Sequence, residues 1–224
     1  MNPYSHFERV TKNFKYFNKF GKYKRIRYYS QFGEDKIIES YFDEDYVGGC
    51  IDVGAYDGTF ISNTKHFEEL DWYCLCVEPN PKYYNVLKTT RLNSINYAIS
   101  DVEGILPFNI VDVGDRMEGA VSALKIDERL FKLFGLAKTT VIDVNVITLD
   151  TCIQQFYKYN KIDFVSVDTE GTELDVLKGL SIEKWRPKLF VIENNFDDPY
   201  VEDYLKQYGY KKVKRLEVND FYVL

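Results

Sequence analysis

A mostly parallel α/β sheet with helices on both faces is the fold class this sequence predicts. Short apolar runs alternate with segments of helical period from Ser30 onward, the pattern of strands joined by crossover helices. The earliest of those runs, around Cys50–Val53, ends in a glycine turn (Gly54, Gly58), as a strand feeding a helix does. Near the end, Lys211–Leu216 and Phe221–Leu224 flank a turn and read as a hairpin, which adds an antiparallel strand to the sheet.

The chain has 224 residues, 45% hydrophobic and 17% aromatic, which suits one globular domain with a full core. A net charge of −6 with pI near 5.1 argues against nucleic acid binding over the whole surface. Met1–Val10 lacks the basic-then-apolar pattern of a signal peptide, and no apolar run approaches a membrane span, so a cytoplasmic location is expected. Cys50, Cys74, Cys76 and Cys152 form no C-x-x-C pair and have no zinc-like histidine spacing. Three of them fall in expected buried strands and read as free core thiols.

Residues Thr11–Tyr29 alternate bases with aromatics, and no acid interrupts them between Glu8 and Glu34. They read as a solvated arm, 1–29, ahead of a domain over 30–224, with a phosphate-binding patch as the sharper alternative. Ser30–Tyr41 is expected to be a helix capped by Ser30. Further helices are expected at Ser62–Leu70 and Pro81–Leu92, with strands at Trp72–Val77 and Asn96–Ser100. A strand-rich insertion, 101–148, contains Ile105–Val111 and Val141–Ile147 around an irregular Gly114–Gly119 loop. Then come a helix at Leu149–Tyr157, a central strand at Ile162–Val167, a helix at Thr172–Leu180, a strand at Leu189–Ile192 and a helix at Pro199–Tyr208.

The functional reading starts at CIDVGAYDG, Cys50–Gly58. Glycine lets the backbone pass close to a ligand there, and the next helix can begin with its amides facing outward. Twenty residues after Gly58, Glu78 ends the second apolar run, where an acid can hold a ribose diol. The G-x-G-x-x-G fingerprint of a pyrophosphate site is missing, which disfavours a nicotinamide dehydrogenase. Asp52, Asp57 and Glu78 instead surround the turn with carboxylates, which repel a pyrophosphate and attract a cation. A positively charged nucleoside with an amino-acid tail, S-adenosylmethionine, fits that pattern.

An ordered series of motifs then resembles the FkbM family of S-adenosylmethionine-dependent methyltransferases. It runs SQFGED (Ser30–Asp35), IDVGAYDG (Ile51–Gly58), SNT (Ser62–Thr64), CVEPNP (Cys76–Pro81), AISDVEG (Ala98–Gly104), VDTEGTELDVLKG (Val167–Gly179) and VIEN (Val191–Asn194). The resemblance covers most of the chain and implies a Rossmann-like class I methyltransferase fold with a seven-stranded sheet. It also implies methyl transfer, commonly to an oxygen of a sugar or natural product. The arm before Ser30 and much of the insertion fall outside it, and the insertion is where the substrate side is expected.

Carried over by motif, the resemblance puts Gln31, the turn Gly54–Ala55–Tyr56–Asp57, and Ser62 around the cofactor, with Asp52 and the turn at the methionine end. Glu78 and Pro79 go to the ribose, and Ser100 with Asp101 to the adenine. Asp168 lies between cofactor and acceptor. Asp168, Glu170 and Glu193 close the fourth and fifth strands at the carboxyl edge, where such sheets bind ligands. One of them could take the acceptor's proton, or the group could hold a divalent cation that binds a sugar diol; the metal-free base is the preferred version. Glu173 is expected to face solvent on its helix, and His66 to be a surface histidine. The best-supported activity is O-methylation of a sugar or glycan hydroxyl. The rivals are a small natural-product or lipid-like alcohol as acceptor, and a nucleic-acid-binding module using the basic arm.

Overall fold

The computed structural model describes residues 14–17, 23–112, 122–134 and 138–224. Along the chain these form β1 (Phe14–Phe17), β2 (Tyr23–Ile26), α1 (Glu34–Glu39), β3 (Gly49–Val53), α2 (Lys65–Glu69), β4 (Tyr73–Val77), α3 (Pro81–Thr90), β5 (Asn93–Ile95) and β6 (Ala98–Ile99). There follow β7 (Gly104–Asp112), α4 (Glu128–Phe134), β8 (Lys138–Ile147), α5 (Leu149–Phe156), β9 (Phe164–Val167) and α6 (Glu173–Lys178). Last come α7 (Ile182–Trp185), β10 (Leu189–Glu193), α8 (Tyr200–Lys206), β11 (Lys211–Leu216) and β12 (Asn219–Val223). His6 and the Gly114–Gly119 loop lie outside the described residues. Among the described residues no helix is long and apolar enough to cross a membrane.

The main sheet has seven strands in the order β11-β12-β10-β9-β3-β4-β5. The run from β10 to β5 is parallel, and β12 pairs antiparallel with both β10 and β11, as the hairpin reading expects. Period-two alternation sends each strand's side chains to opposite faces, and both faces are covered. Ile51, Val53, Val165, Val167 and Ile192 meet Leu149, Val176, Leu177 and Leu205 of α5, α6 and α8 on one face. Cys50, Cys74, Phe164, Val191 and Phe221 meet Ile38 of α1 and Phe67 of α2 on the other. There Phe67 packs edge-on against Trp72 and Phe164, with centroids 5.0 and 4.9 Å apart. All four cysteines are buried free thiols, in line with the sequence reading.

The chain runs outward from β3 through β4 to β5, then returns to β9 on the other side of β3. That reversal, at the carboxyl ends of β3 and β9, is where an open α/β sheet leaves a crevice for a ligand.

Some expected elements are corrected. The strand expected at Asn96–Ser100 is divided: β5 at Asn93–Ile95 joins the main sheet, and β6 pairs with β8 in a second sheet ordered β6-β8-β7. Asn96 marks the break, its side-chain amide donating to the carbonyls of Glu78 (2.8 Å) and Pro79 (3.0 Å). Ser30 does not cap a helix at its own position. Its hydroxyl accepts from Gly33 N (3.1 Å) and donates to Asp35 Oδ1 (2.6 Å), so the helix opens one turn later, after Gly33. The arm contains a hairpin that pairs Phe14 with Ile26 and Phe17 with Tyr23, and α4 and α7 are additional helices. His66 is 1% exposed, not on the surface; its Nδ1 meets Arg27 O at 3.0 Å, and its Nε2 lies 3.3 Å from Glu39 Oε1.

Candidate active site

The turn after β3 is built from backbone first. Gly54 has φ +87°, and its amide and that of Ala55 both donate to Val77 O at 3.0 Å. A Cβ on Gly54 would stand 1.7 Å from the carbonyl oxygen of Asp168, so the close approach that demands glycine here is to the chain after β9. Asp57 orders the turn itself: its Oδ1 accepts from Thr59 N (2.8 Å) and Phe60 N (2.7 Å).

Glu78 ends β4 in the place the sequence predicts, and it is 6% exposed. Tyr56 N donates to Oε2 at 2.9 Å and Asn80 N donates to Oε1 at 2.8 Å. Burial pushes its carboxyl up to about 8 despite those two donors, and the charges of Asp168 and Asp52 add to the rise. Each oxygen keeps a lone pair for a further donor such as a hydroxyl. Two residues on, Asn80 Nδ2 is buried with no hydrogen-bond partner. A buried acid in an acidic field, next to an unsatisfied amide, fits a cationic nucleoside with hydroxyls to offer. The Tyr56 ring lies 4.0 Å from that of Tyr83 on α3.

Other residues predicted for the cofactor have partners within the protein. Asp52 Oδ2 accepts from Thr64 Oγ1 at 2.5 Å and lies 3.9 Å from Arg91 Nη1, so its carboxylate is committed to a buried cluster. Arg91, 4% exposed, ion-pairs with Glu68 (3.1 Å) and donates to Thr64 Oγ1 (3.0 Å) and Gly58 O (3.2 Å). Ser62 Oγ accepts from Lys65 N (3.1 Å) and Thr64 N (3.3 Å) at the head of α2. Ala55 packs with Cys76 and Leu87. Gln31 is half-buried in the segment leading to α1. Ser100 and the exposed Asp101 follow β6 in the second sheet, where Ser100 Oγ donates to Asp101 Oδ1 at 3.3 Å. They therefore do not close a main-sheet strand as the adenine assignment assumed.

The ends of β9 and β10 gather the three acids expected beside the acceptor. Asp168, Glu170 and Glu193 each offer a carboxylate oxygen, all within 4.8 Å of one another. Asp168 is fixed by its amide, which donates to Val53 O at 2.9 Å. Burial pushes Asp168 up to about 7, with the nearby Glu173 charge adding. Burial, then the charges of Asp168 and Glu170, push Glu193 well above the ordinary range, and burial does the same to Glu170. Glu170 holds φ +59°, the left-handed region that a non-glycine residue rarely adopts.

The sequence reading placed Glu173 in solvent, but it is 8% exposed and organises this loop. Its Oε1 accepts from Thr169 N (3.0 Å), Thr169 Oγ1 (3.1 Å) and Gly171 N (3.0 Å), holding the backbone around Glu170 in place. Sequence reasoning also missed Arg91, which no local pattern marks, and Asn80, whose position before Pro81 is a recognisable helix-cap signal. It missed α4, which brings Asp127 and Arg129 next to the loop after β10.

Next to the acids is a cleft of about 160 Å³, bordered by Asp127, Arg129, Glu193, Asn195, Phe196 and Tyr200. A set of carboxylates that share protons in front of a cleft can accept a proton from a bound alcohol.

Residues 52–212 match the sequence profile described as the methyltransferase FkbM domain. No curated sequence matches the chain. Among solved structures it is similar to a methyltransferase FkbM from Methylobacillus flagellatus KT at 14% identity and TM-score 0.52, over 83% of this chain and 46% of that one. The chain thus spans about half the length of that protein. It is also similar to TrmK of M. capricolum in complex with S-adenosyl-homocysteine, at 8% identity and TM-score 0.45, over 88% and 68% of the two chains. A profile that spans most of the chain, on a seven-stranded sheet of this order, places the protein in the FkbM family of S-adenosylmethionine-dependent methyltransferases.

Proposed function

We propose that the protein methylates a hydroxyl oxygen of a sugar or glycan, with Asp168 and Glu193 handling the proton. The observation that carries this is the convergence of Asp168, Glu170 and Glu193 within 4.8 Å at the ends of β9 and β10. S-adenosylmethionine, when bound, supplies a methyl group already activated on a sulfonium sulfur, which departs with the C–S electron pair as a neutral thioether. The protein's own work is alignment and proton removal. Glu78 accepts from the ribose hydroxyls, its carboxylate held in place by the Tyr56 and Asn80 amides. The Glu78 carboxyl, when ionised, provides the negative charge that attracts the cationic cofactor.

At the acceptor, one member of the Asp168–Glu193 pair takes the hydroxyl proton as the O–C bond forms. A carboxylate whose neighbours raise its proton affinity toward neutrality suits that step better than an ordinary surface acid. Glu173 keeps the loop in register. No Lewis acid is needed for transfer to an alcohol, so we assign the trio as a base and not as a metal site. A sugar is favoured over a lipid-like alcohol because the adjoining cleft mixes polar groups (Asp127, Arg129, Asn195) with apolar ones (Leu130, Leu174) and the exposed Tyr200 ring. That mixture suits a molecule with both hydroxyls and an apolar face.

Transfer of labelled methyl from S-adenosylmethionine onto an array of glycans and sugars tests this reading. Label on the oxygen of a sugar supports it. Label appearing only on apolar alcohols, with cofactor bound normally, contradicts the sugar assignment. Chelator-sensitive turnover restored by magnesium or manganese contradicts the metal-free base.

A further inference from the structure

The cleft beyond the acids has a wall outside the strand-end motifs. It is made by α4, on the insertion, facing the loop that follows β10. Arg129 ties the two together. Its Nη2 lies 2.6 Å from Asp127 Oδ2 and 2.5 Å from Asp198 Oδ2, and its guanidinium stacks over the Phe196 ring at 4.0 Å. The cleft's cation is thus matched by two carboxylates and spent on one aromatic face. Glu173 and Glu193 remain as acids toward the interior, and Asn195 and the 62%-exposed Tyr200 offer an amide and a ring at the border.

We infer that this cleft is the acceptor subsite and that it filters by charge: it admits uncharged or ammonium-bearing polyhydroxyl acceptors and refuses those carrying carboxylate or phosphate. The inference rests on the reading that the acceptor hydroxyl meets Asp168 and Glu193. A carboxylate or phosphate entering the cleft would meet Asp127 and Asp198, two carboxylates against the single Arg129 cation they already engage, with the Glu193 and Glu173 acids behind them. Among the described lining residues no other cation offsets these. Hydroxyls find hydrogen-bonding groups there, a sugar's apolar face finds Tyr200, and an ammonium finds opposite charge.

The experiment uses labelled S-adenosylmethionine and matched acceptors: methyl glycosides, the corresponding uronic acids, 6-phosphates and amino sugars. Cyclohexanol, an aminocyclohexanol and a hydroxycyclohexanecarboxylic acid form a parallel non-sugar panel. Neutral and amino members are expected to be labelled at least tenfold faster than anionic ones. The Asp127→Asn/Asp198→Asn double variant, verified as folded by its melting curve, releases Arg129 toward the cleft. It is expected to raise transfer to the anionic members at least tenfold.

Equal labelling of neutral and anionic members by the wild type overturns the filter, as does unchanged discrimination in the double variant. The same charge order confined to the non-sugar panel keeps the filter and rejects the sugar reading. No label in either panel, with cofactor bound, rejects both.

Discussion

The two ends of the ligand crevice are built differently. On the cofactor side, polar groups are largely consumed by the protein: Glu78 holds two backbone amides, Asp57 holds two more, and Arg91 is locked in a buried cluster with Asp52, Glu68 and Thr64. On the acceptor side, Asp168, Glu170 and Glu193 face one another, and the nearby wall is closed by exposed ion pairs of Arg129. Satisfied polar groups give a rigid frame, whereas mutually facing acids store proton affinity. The first arrangement suits binding one invariant molecule and the second suits chemistry on a variable one.

Breaking the rigid side is expected to have the largest effect. Gly54→Val puts a Cβ into the Asp168 carbonyl at 1.7 Å, in a positive-φ conformation that a branched residue resists. The expected result is loss of the folded state or a fall of about 3 kcal/mol or more in a denaturant melt. A fully stable Gly54→Val protein would show that the turn is looser than described.

Glu78→Ala comes next. It removes the acceptor for two amides and for the ribose hydroxyls, and charge-assisted hydrogen bonds are worth roughly 1.5–3 kcal/mol each. Calorimetry should show cofactor affinity falling by about two to four orders of magnitude, with the chain still folded. Affinity within twofold of wild type would remove Glu78 from the ribose site.

The smallest effect is a pH slope, and it has the same sign on both sides. Glu78 rises from 4.5 to about 8 and Asp168 from 3.8 to about 7 in the fold. A raised carboxyl binds its proton more tightly folded than unfolded, so its stabilising contribution is complete below the unfolded value and is lost as pH rises through the folded value. Melting temperature without cofactor should therefore fall between about pH 4 and pH 8 from these groups. Affinity for the cationic cofactor should rise over the same window, because ionised Glu78 attracts it. A cofactor affinity flat from pH 5.5 to pH 8 would contradict the acidic-field account.

The same contrast explains how much was readable in the sequence. β3, β4, β9 and β10 were legible because each is a short apolar run ending at a turn or an acid, and burial on both faces needs little else. Glu78, Asp168 and Glu193 were legible because strand ends fix their position. The partners of Asp52 were not legible, because alternation along β3 sends its side chain to the face covered by α1 and α2, where Thr64 and Arg91 come from distant positions. Glu173 looked like a solvent-facing helical acid, since nothing local shows that it folds back on Thr169 and Gly171. The divided strand at residues 93–99 depends on Asn96 finding two carbonyls, and the Arg129 contacts depend on how the insertion docks.

The central claim is that the acceptor-side carboxylates do the proton transfer while contributing little to holding the cofactor. The most direct measurement pairs calorimetric titration of S-adenosylmethionine with single-turnover methyl transfer in Asp168→Asn, Glu193→Gln and the double variant. The account predicts cofactor affinity within a few-fold of wild type and transfer reduced by about 10²–10⁴-fold in the double variant, the usual scale for a lost acid–base group. Full-rate transfer by the double variant would contradict it and leave alignment alone as the source of catalysis.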